Sequence, residues 1–163
     1  MIGDTTNLPR RLRKAAGDWL AGLAQWRWYC TLTFEDYVTQ RQAMGALKRW
    51  ARIVAQTQVR DHFMLAFALE KTTLAGVWHI HVLLDAPEAT ATDYRGFMPL
   101  VAAEVWKRRC FAGGFTRIES FQPDGRAPYY LTKTASYDCG VICPRRSRCR
   151  RSVGCRGGPS PWR

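Results

Sequence analysis

The segment Trp78–Leu84 has the sequence WHIHVLL. Two histidines alternate in it with apolar residues, and side chains in a β-strand point alternately to the two faces of a sheet. The segment therefore predicts a strand with Ile80 and Val82 on one face and His79 with His81 on the other. We expect the apolar face to anchor this strand in a core and the histidine face to carry chemistry.

A second strand is predicted just upstream, over His62–Glu70 with the sequence HFMLAFALE. The turn-like segment Thr72–Gly76 joins the two strands, which predicts a hairpin. Antiparallel pairing would bring Glu70 close to the histidines if all three share a face. Two imidazoles and one carboxylate can hold one divalent ion, Mg²⁺ or Mn²⁺, and leave positions open for water or substrate oxygens. Glu70, His79 and His81 are therefore candidate metal ligands; the alternative is a hydrogen-bonded polar cluster on the sheet surface.

The rest of the chain predicts helices and strands around this hairpin. Helical patterns cover 15–24, 38–57, 89–110 and 129–138, and strand patterns cover 28–34 and 115–121. This order predicts the α+β class, with an antiparallel sheet and helices packed on one face in a ferredoxin-like or split βαβ plan. We expect a basic N-terminal arm with a short helix over 1–25, the domain over 26–138, and a disordered Arg- and Cys-rich tail over 139–163.

The charge of the chain favours a polyanionic partner. The formal net charge is +12, and residues 139–163 contain seven arginines and no acidic residue. Neutralising phosphates with such cations releases counterions, which is typical of nucleic-acid binding. No apolar run reaches the roughly 18 to 20 residues that span a bilayer, so we expect a cytoplasmic protein without a membrane partner. The tail cysteines have a spacing that indicates a zinc site only weakly.

Chemistry on a phosphodiester at the metal site would need a nucleophile, either a metal-bound water or a tyrosine. Tyr130 is the candidate, with Lys133 one helical turn later. A phenol has a pKa of about 10 and needs a nearby cation or metal to react near neutral pH. Lys133 could supply this cation, or it could stabilise the reacting phosphorus centre. The neighbouring Tyr129 is the alternative nucleophile and Tyr137 a more distant one; Tyr130 is favoured.

Three motifs in this order resemble those of the HUH endonucleases, and among them the rolling-circle replication initiators (Rep proteins) of plasmids, phages and small DNA viruses. The motifs are CTLTF at 30–34, HIH at 79–81 with Glu70 upstream, and YLTK at 130–133. The resemblance implies a metal-dependent nick of single-stranded origin DNA. It further implies a 5′-phosphotyrosyl link to Tyr130, a free 3′-hydroxyl that primes synthesis, and later strand closure.

The chain departs from the fuller pattern of these initiators. It has no helicase domain and no phosphate-binding GxxxxGK[ST] loop, so we expect a separate host helicase and no small-molecule cofactor. Two alternatives stay open at this point. One is an HUH-type transposase or relaxase, which would use the same residues on a different DNA; the other is a nonenzymatic module that binds single-stranded nucleic acid.

Overall fold

A computed structural model describes residues 10–57, 63–72, 76–90, 96–110, 114–122, 126–134 and 138–142. The elements in chain order are α1 (Arg10–Leu23), β1 (Trp28–Thr33), α2 (Gln40–Thr57), β2 (Met64–Lys71), β3 (Trp78–Asp85), α3 (Pro99–Arg109), β4 (Thr116–Ser120), α4 (Arg126–Thr134) and β5 (Asp138–Ile142). None of the described helices is long and apolar enough to cross a membrane.

The strands form one antiparallel sheet in the order β4-β1-β3-β2-β5. The predicted hairpin is β2–β3, in which Glu70 pairs with His79 and Ala68 with His81. On the other side of β3, Thr31 of β1 pairs with His81. The α+β class and the antiparallel sheet are confirmed, whereas the ferredoxin-like and HUH assignments stay predictions.

Helices cover both faces of the sheet, so the prediction of helices on one face is wrong. On the apolar face, α2 and α3 pack over residues that include Leu65, Phe67 and Val82. On the opposite face, Leu20 of α1 and Leu131 of α4 pack over Ala66, Ala68 and Leu83. The small side chains of β2 on this second face leave room for a helix, and the close packing of protein interiors requires that such room be filled.

The larger core is rich in tryptophan, and its buried indoles have hydrogen-bond acceptors. Trp50 Nε1 donates to the carbonyl of Ala102 at 2.9 Å, and Trp106 Nε1 donates to that of Thr33 at 2.8 Å. Both side chains are fully buried. Because a buried indole N–H without an acceptor is costly, these bonds orient α2 and α3 against each other and against β1.

The third helix begins later than the pattern over 89–110 predicts. It starts at Pro99, which stands in its first turn, where the missing N–H and the restricted φ of proline suit a helix start. Just before it, Phe97 forms a parallel bridge with Glu88. A Cβ at Gly96 would collide with the backbone of Glu88 and Ala89. The described residues just before Pro99 therefore form a bridge and not the first turns of the helix.

The helices and strands extend beyond the predicted domain, 26–138, at both of its ends. Helix α1 begins at Arg10 rather than at residue 15, and it packs on the sheet through Leu20. At the other end, residues 138–142 form β5, paired with β2 from Leu65 to Leu69. The boundary at 138/139 thus divides a strand of the sheet. Residues 1–9 and 143–163 lie outside the described residues.

We expect a chain that ends at Tyr137 to be less stable than a chain that ends at Ile142. The shorter chain loses five residue pairs of the ladder with β2 and uncovers the edge of that strand. A loss of about 2 to 4 kcal/mol in the free energy of unfolding follows from lost ladder bonds. Thermal denaturation with light scattering measures both the lost stability and aggregation at the bare edge. Equal melting temperatures for the two chains would show that β5 contributes nothing.

Candidate active site

The centre of the site is a contact between an imidazole and a carboxylate on adjacent strands. His81 Nε2 lies 3.0 Å from Oε2 of Glu70, although the residue that pairs with His81 across the ladder is Ala68. The small alanine leaves space beside the ring, and a glutamate two residues further along the strand is within diagonal reach of it. The predicted proximity of Glu70 and His81 is therefore present in the structure.

Strand β1 holds the other nitrogen of the same imidazole. The Tyr29 hydroxyl lies 2.9 Å from Nδ1 of His81, and the Thr31 hydroxyl lies 3.4 Å from it. With the proton on Nε2, the ring donates to Glu70 and accepts from Tyr29. Both ring nitrogens thus have partners, so the ring is fixed in orientation from both sides.

His81 is buried, with 8% of its side chain exposed. Burial lowers the pKa of His81 below its usual value of 6.5, and the hydrogen bond and charge of Glu70 oppose this shift in part. Removal from water disfavours the charged imidazolium. His81 is consequently neutral near pH 7 and has a lone pair to offer to a proton or a metal ion.

Tyr130 completes the cluster from helix α4. Its hydroxyl donates to Oε2 of Glu70 at 3.4 Å, and its ring stands edge-on to His81 with centroids 5.1 Å apart. The Tyr130 side chain is 41% exposed, which leaves it accessible to a large substrate. Partial burial, followed by the nearby Glu70 carboxylate, raises the pKa of Tyr130. The phenol is therefore protonated near neutral pH and faces a carboxylate that can take its proton.

The neighbouring Tyr129 points elsewhere. Its hydroxyl donates to the Asp18 carboxylate on α1, and its ring lies against Gly17, where a side chain would collide with it. Tyr129 thus joins α4 to α1, while Tyr130 faces the His81 cluster. Lys133 lies in α4 one turn after Tyr130, but its side chain is outside what the structure describes, as is Tyr137.

The predicted metal ligand set is assembled in part. His79 lies on the same face as His81 and pairs with Glu70 across the ladder, and the direct contact joins His81 to Glu70. Within the described ranges, no three His, Cys, Asp or Glu side chains converge closely enough to form a metal-binding group. The set of Glu70, His79 and His81 is therefore still a prediction as a complete site.

The donor chemistry of the central pair nevertheless fits a divalent ion. Two ligands that meet an ion at right angles with bonds of about 2.1 Å are themselves about 3.0 Å apart. The nitrogen and oxygen of His81 and Glu70 have this separation. Hydroxyl oxygens of Tyr29 and Thr31 border the other ring nitrogen, and a hydrogen bond at that nitrogen orients the ring of a metal-bound histidine. Glu70 and His81 would hold the ion, and His79, which pairs with Glu70 across the ladder, is the further predicted ligand.

Sequence reasoning missed the contribution of Tyr29. Alternation along β1 places Tyr29 and Thr31 on one face, which is the face of His81 in the paired strand. The sequence signal was this alternation alone; the register, which puts Tyr29 two residues before the partner of His81, comes from the structure. Without knowledge of that pairing, a tyrosine in a strand is an ordinary half-buried residue.

We expect the stability of the fold to decrease as the pH falls through the range below about 6.5. The pKa of His81 is lower in the folded chain than in the unfolded one, so the unfolded chain binds more protons there. Urea denaturation in EDTA between about pH 7.5 and pH 5 measures this dependence. His81→Gln should flatten it, and His79→Gln is the matched control on the same strand face. An equal slope for His81→Gln and the parent chain would contradict the assignment.

No protein-family model matches the chain, and no curated protein or solved structure shows detectable similarity to it. The resemblance to the HUH endonucleases therefore rests on the three sequence motifs.

Proposed function

We propose that this chain is a metal-dependent endonuclease and strand transferase that nicks and rejoins single-stranded DNA through a 5′-phosphotyrosyl intermediate on Tyr130. The observation that carries the proposal is the convergence of a phenol, a carboxylate and a neutral imidazole on one face of the sheet. Tyr130 and His81 both contact the same oxygen of Glu70. A module that merely binds nucleic acid has no need of this arrangement.

The proposed reaction begins with the proton of Tyr130. The Glu70 carboxylate accepts this proton as the phenol oxygen attacks the phosphorus atom of a phosphodiester. The bond between the Tyr130 oxygen and phosphorus forms while the bond between phosphorus and the 3′-oxygen breaks. The departing 3′-oxygen takes a proton from the Glu70 carboxyl group. Rejoining runs the same steps backward and returns the phenol to Tyr130.

A divalent ion, Mg²⁺ or Mn²⁺, would polarise the nonbridging phosphate oxygens and offset the negative charge that develops on phosphorus. His81 and Glu70 would hold it, assisted by His79. With the ion bound, the ring proton of His81 would be on Nδ1 and be donated to the hydroxyl of Tyr29 or Thr31, which would leave the Nε2 lone pair for the ion.

The charge of the chain supports DNA as the substrate class. The net charge of +12 favours association with a polyanion at a rate and affinity that fall with salt. Under the proposal the target is single-stranded origin DNA of a plasmid, phage or small DNA virus. The protein would then act in the cytoplasm with a separate helicase that unwinds the template. A transposase or relaxase would share the residues and differ in the DNA that it recognises.

We expect the protein incubated with Mn²⁺ and single-stranded origin DNA to form a covalent adduct that survives denaturing gel electrophoresis. Tyr130→Phe removes the attacking oxygen and should abolish the adduct. Tyr129→Phe is the matched control, since that hydroxyl contacts Asp18 on α1, and it should keep the adduct. EDTA should abolish it in every variant. Adduct formation by Tyr130→Phe, or DNA binding without any adduct in the parent chain, would refute the proposal.

A second prediction concerns the hydroxyl that orients His81. Tyr29→Phe keeps the ring of residue 29 and removes the bond to Nδ1, so nicking should fall by roughly 10- to 100-fold and half-maximal activity should require more Mn²⁺. Tyr37→Phe, at an exposed tyrosine that lies after the end of β1, should leave both unchanged. Initial nicking rates over a Mn²⁺ titration measure the effect. Identical titration curves for Tyr29→Phe and the parent chain would remove Tyr29 from the site.

A further inference from the structure

A cleft of about 380 Å³ opens beside the candidate nucleophile. We call it the side cleft, and the residues that line it include Tyr29, Glu119, Phe121, Gln122, Ala127 and Tyr130. Its volume is at the lower end of the range of about 300 to 1,000 Å³ for small-molecule sites. The side cleft therefore suits one nucleotide rather than several.

The floor of the side cleft is apolar and aromatic. Tyr29, Phe121 and Ala127 pack against the smaller core cluster under α1 and α4. The backbone N–H of Phe121 donates to the carbonyl of Arg27 at 2.7 Å, which ties the segment after β4 to the start of β1. Aromatic rings on a fixed segment give a surface on which a nucleobase can stack.

The rim of the side cleft carries the negative charge of Glu119. This charge is wrong for binding a phosphate but suits the N–H donors of a base. Glu119 pairs with Tyr29 across the ladder between β4 and β1, so the two side chains share a face. Its carboxylate also contacts Arg117 at 2.7 Å. A carboxylate has about four lone-pair sites, so it can accept further N–H groups beyond that contact.

Guanine has the edge that best matches such a rim. Its Watson–Crick edge carries two adjacent donors, the ring N1–H and the exocyclic amino group, which can meet the two oxygens of one carboxylate. The Watson–Crick edges of the other three bases offer at most one donor group beside acceptors, which a carboxylate repels. The exposed Gln122 amide adds a donor and an acceptor to the rim.

We propose that the side cleft binds a guanine base of the DNA strand, next to the phosphate that Tyr130 attacks. The position beside the reacting phosphate rests on the proposed function, because Tyr130 forms a wall of the cleft and also contacts Glu70. Arg117 of β4 pairs with Thr31 of β1. It therefore supplies a cation on the same face for the backbone of the DNA. The side cleft thus selects the sequence at the site of nicking.

The test measures binding in EDTA, so that it does not depend on strand cleavage. Fluorescence anisotropy compares oligothymidine of about 12 nucleotides with the same strand carrying one central guanine, adenine or cytosine. The guanine strand should bind the parent chain roughly 5- to 100-fold more tightly than oligothymidine. Glu119→Gln should lose this preference and keep the affinity for oligothymidine. Glu104→Gln is the matched control, since that carboxylate also contacts an arginine, Arg108, on α3.

Equal affinities for all four strands, or a guanine preference that survives in Glu119→Gln, would overturn the inference. Photocrosslinking with a thioguanine in place of the guanine locates the bound base independently. The peptide that becomes attached to the thioguanine should contain Phe121 or Tyr130. Attachment to α2 or α3 instead would also overturn it. A guanine preference in a chain that forms no adduct supports the side cleft and contradicts the proposed nicking. An adduct without any base preference supports the proposed nicking and contradicts guanine binding in the side cleft.

Discussion

The antiparallel pairing of β3 between β1 and β2 is the constraint on which the site depends. Because β3 is the central strand of the sheet, His81 receives Glu70 from one neighbour and Tyr29 with Thr31 from the other. Side chains alternate strictly along a strand, and a slip of one residue in either pairing would turn those partners to the opposite face. The apolar residues of β3 prevent such a slip, since it would remove Ile80 and Val82, which are fully buried, from the larger core.

Covering the histidine face is the second determinant of the chemistry. Helices α1 and α4 lie over the part of this face that carries Ala66, Ala68 and Leu83. Their packing removes His81 from water and delivers Tyr130 to Glu70. Desolvation keeps the imidazole neutral, and it also keeps the phenol protonated. Activation of Tyr130 therefore needs a base in contact with it, which Glu70 provides. The link between Tyr129 and Asp18 fastens α4 to α1.

Local patterns predicted the β2–β3 hairpin and most of the elements, because burial on one face imposes a period of two on strands and a stripe on helices. They failed where a distant partner decided the outcome. The CGVI segment after Asp138 has little signal of its own and becomes a strand by pairing with β2. Among the described residues of the pattern over 89–110, the helix runs from Pro99 to Arg109, and Phe97 before it is bridged to Glu88. The polar residues on the histidine face predicted a surface that is open to solvent. Instead, α4 and α1 pack on this face over Ala66 and Ala68.

Strand alternation in the sequence determined that His79 and His81 share one face of β3, whereas the register of the hairpin decided that Glu70 lies on that face too. The sequence also identified Tyr129 and Tyr130 as candidate nucleophiles, and its basic charge favours a polyanionic partner. Tertiary structure alone decided which groups meet. His81 rather than His79 contacts Glu70, and Tyr130 rather than Tyr129 faces them. Tyr29 joins them from β1, 52 residues before His81 in the chain. Contacts of this kind depend on register and on the rotation of a helix about its axis, and both are set by packing between distant segments.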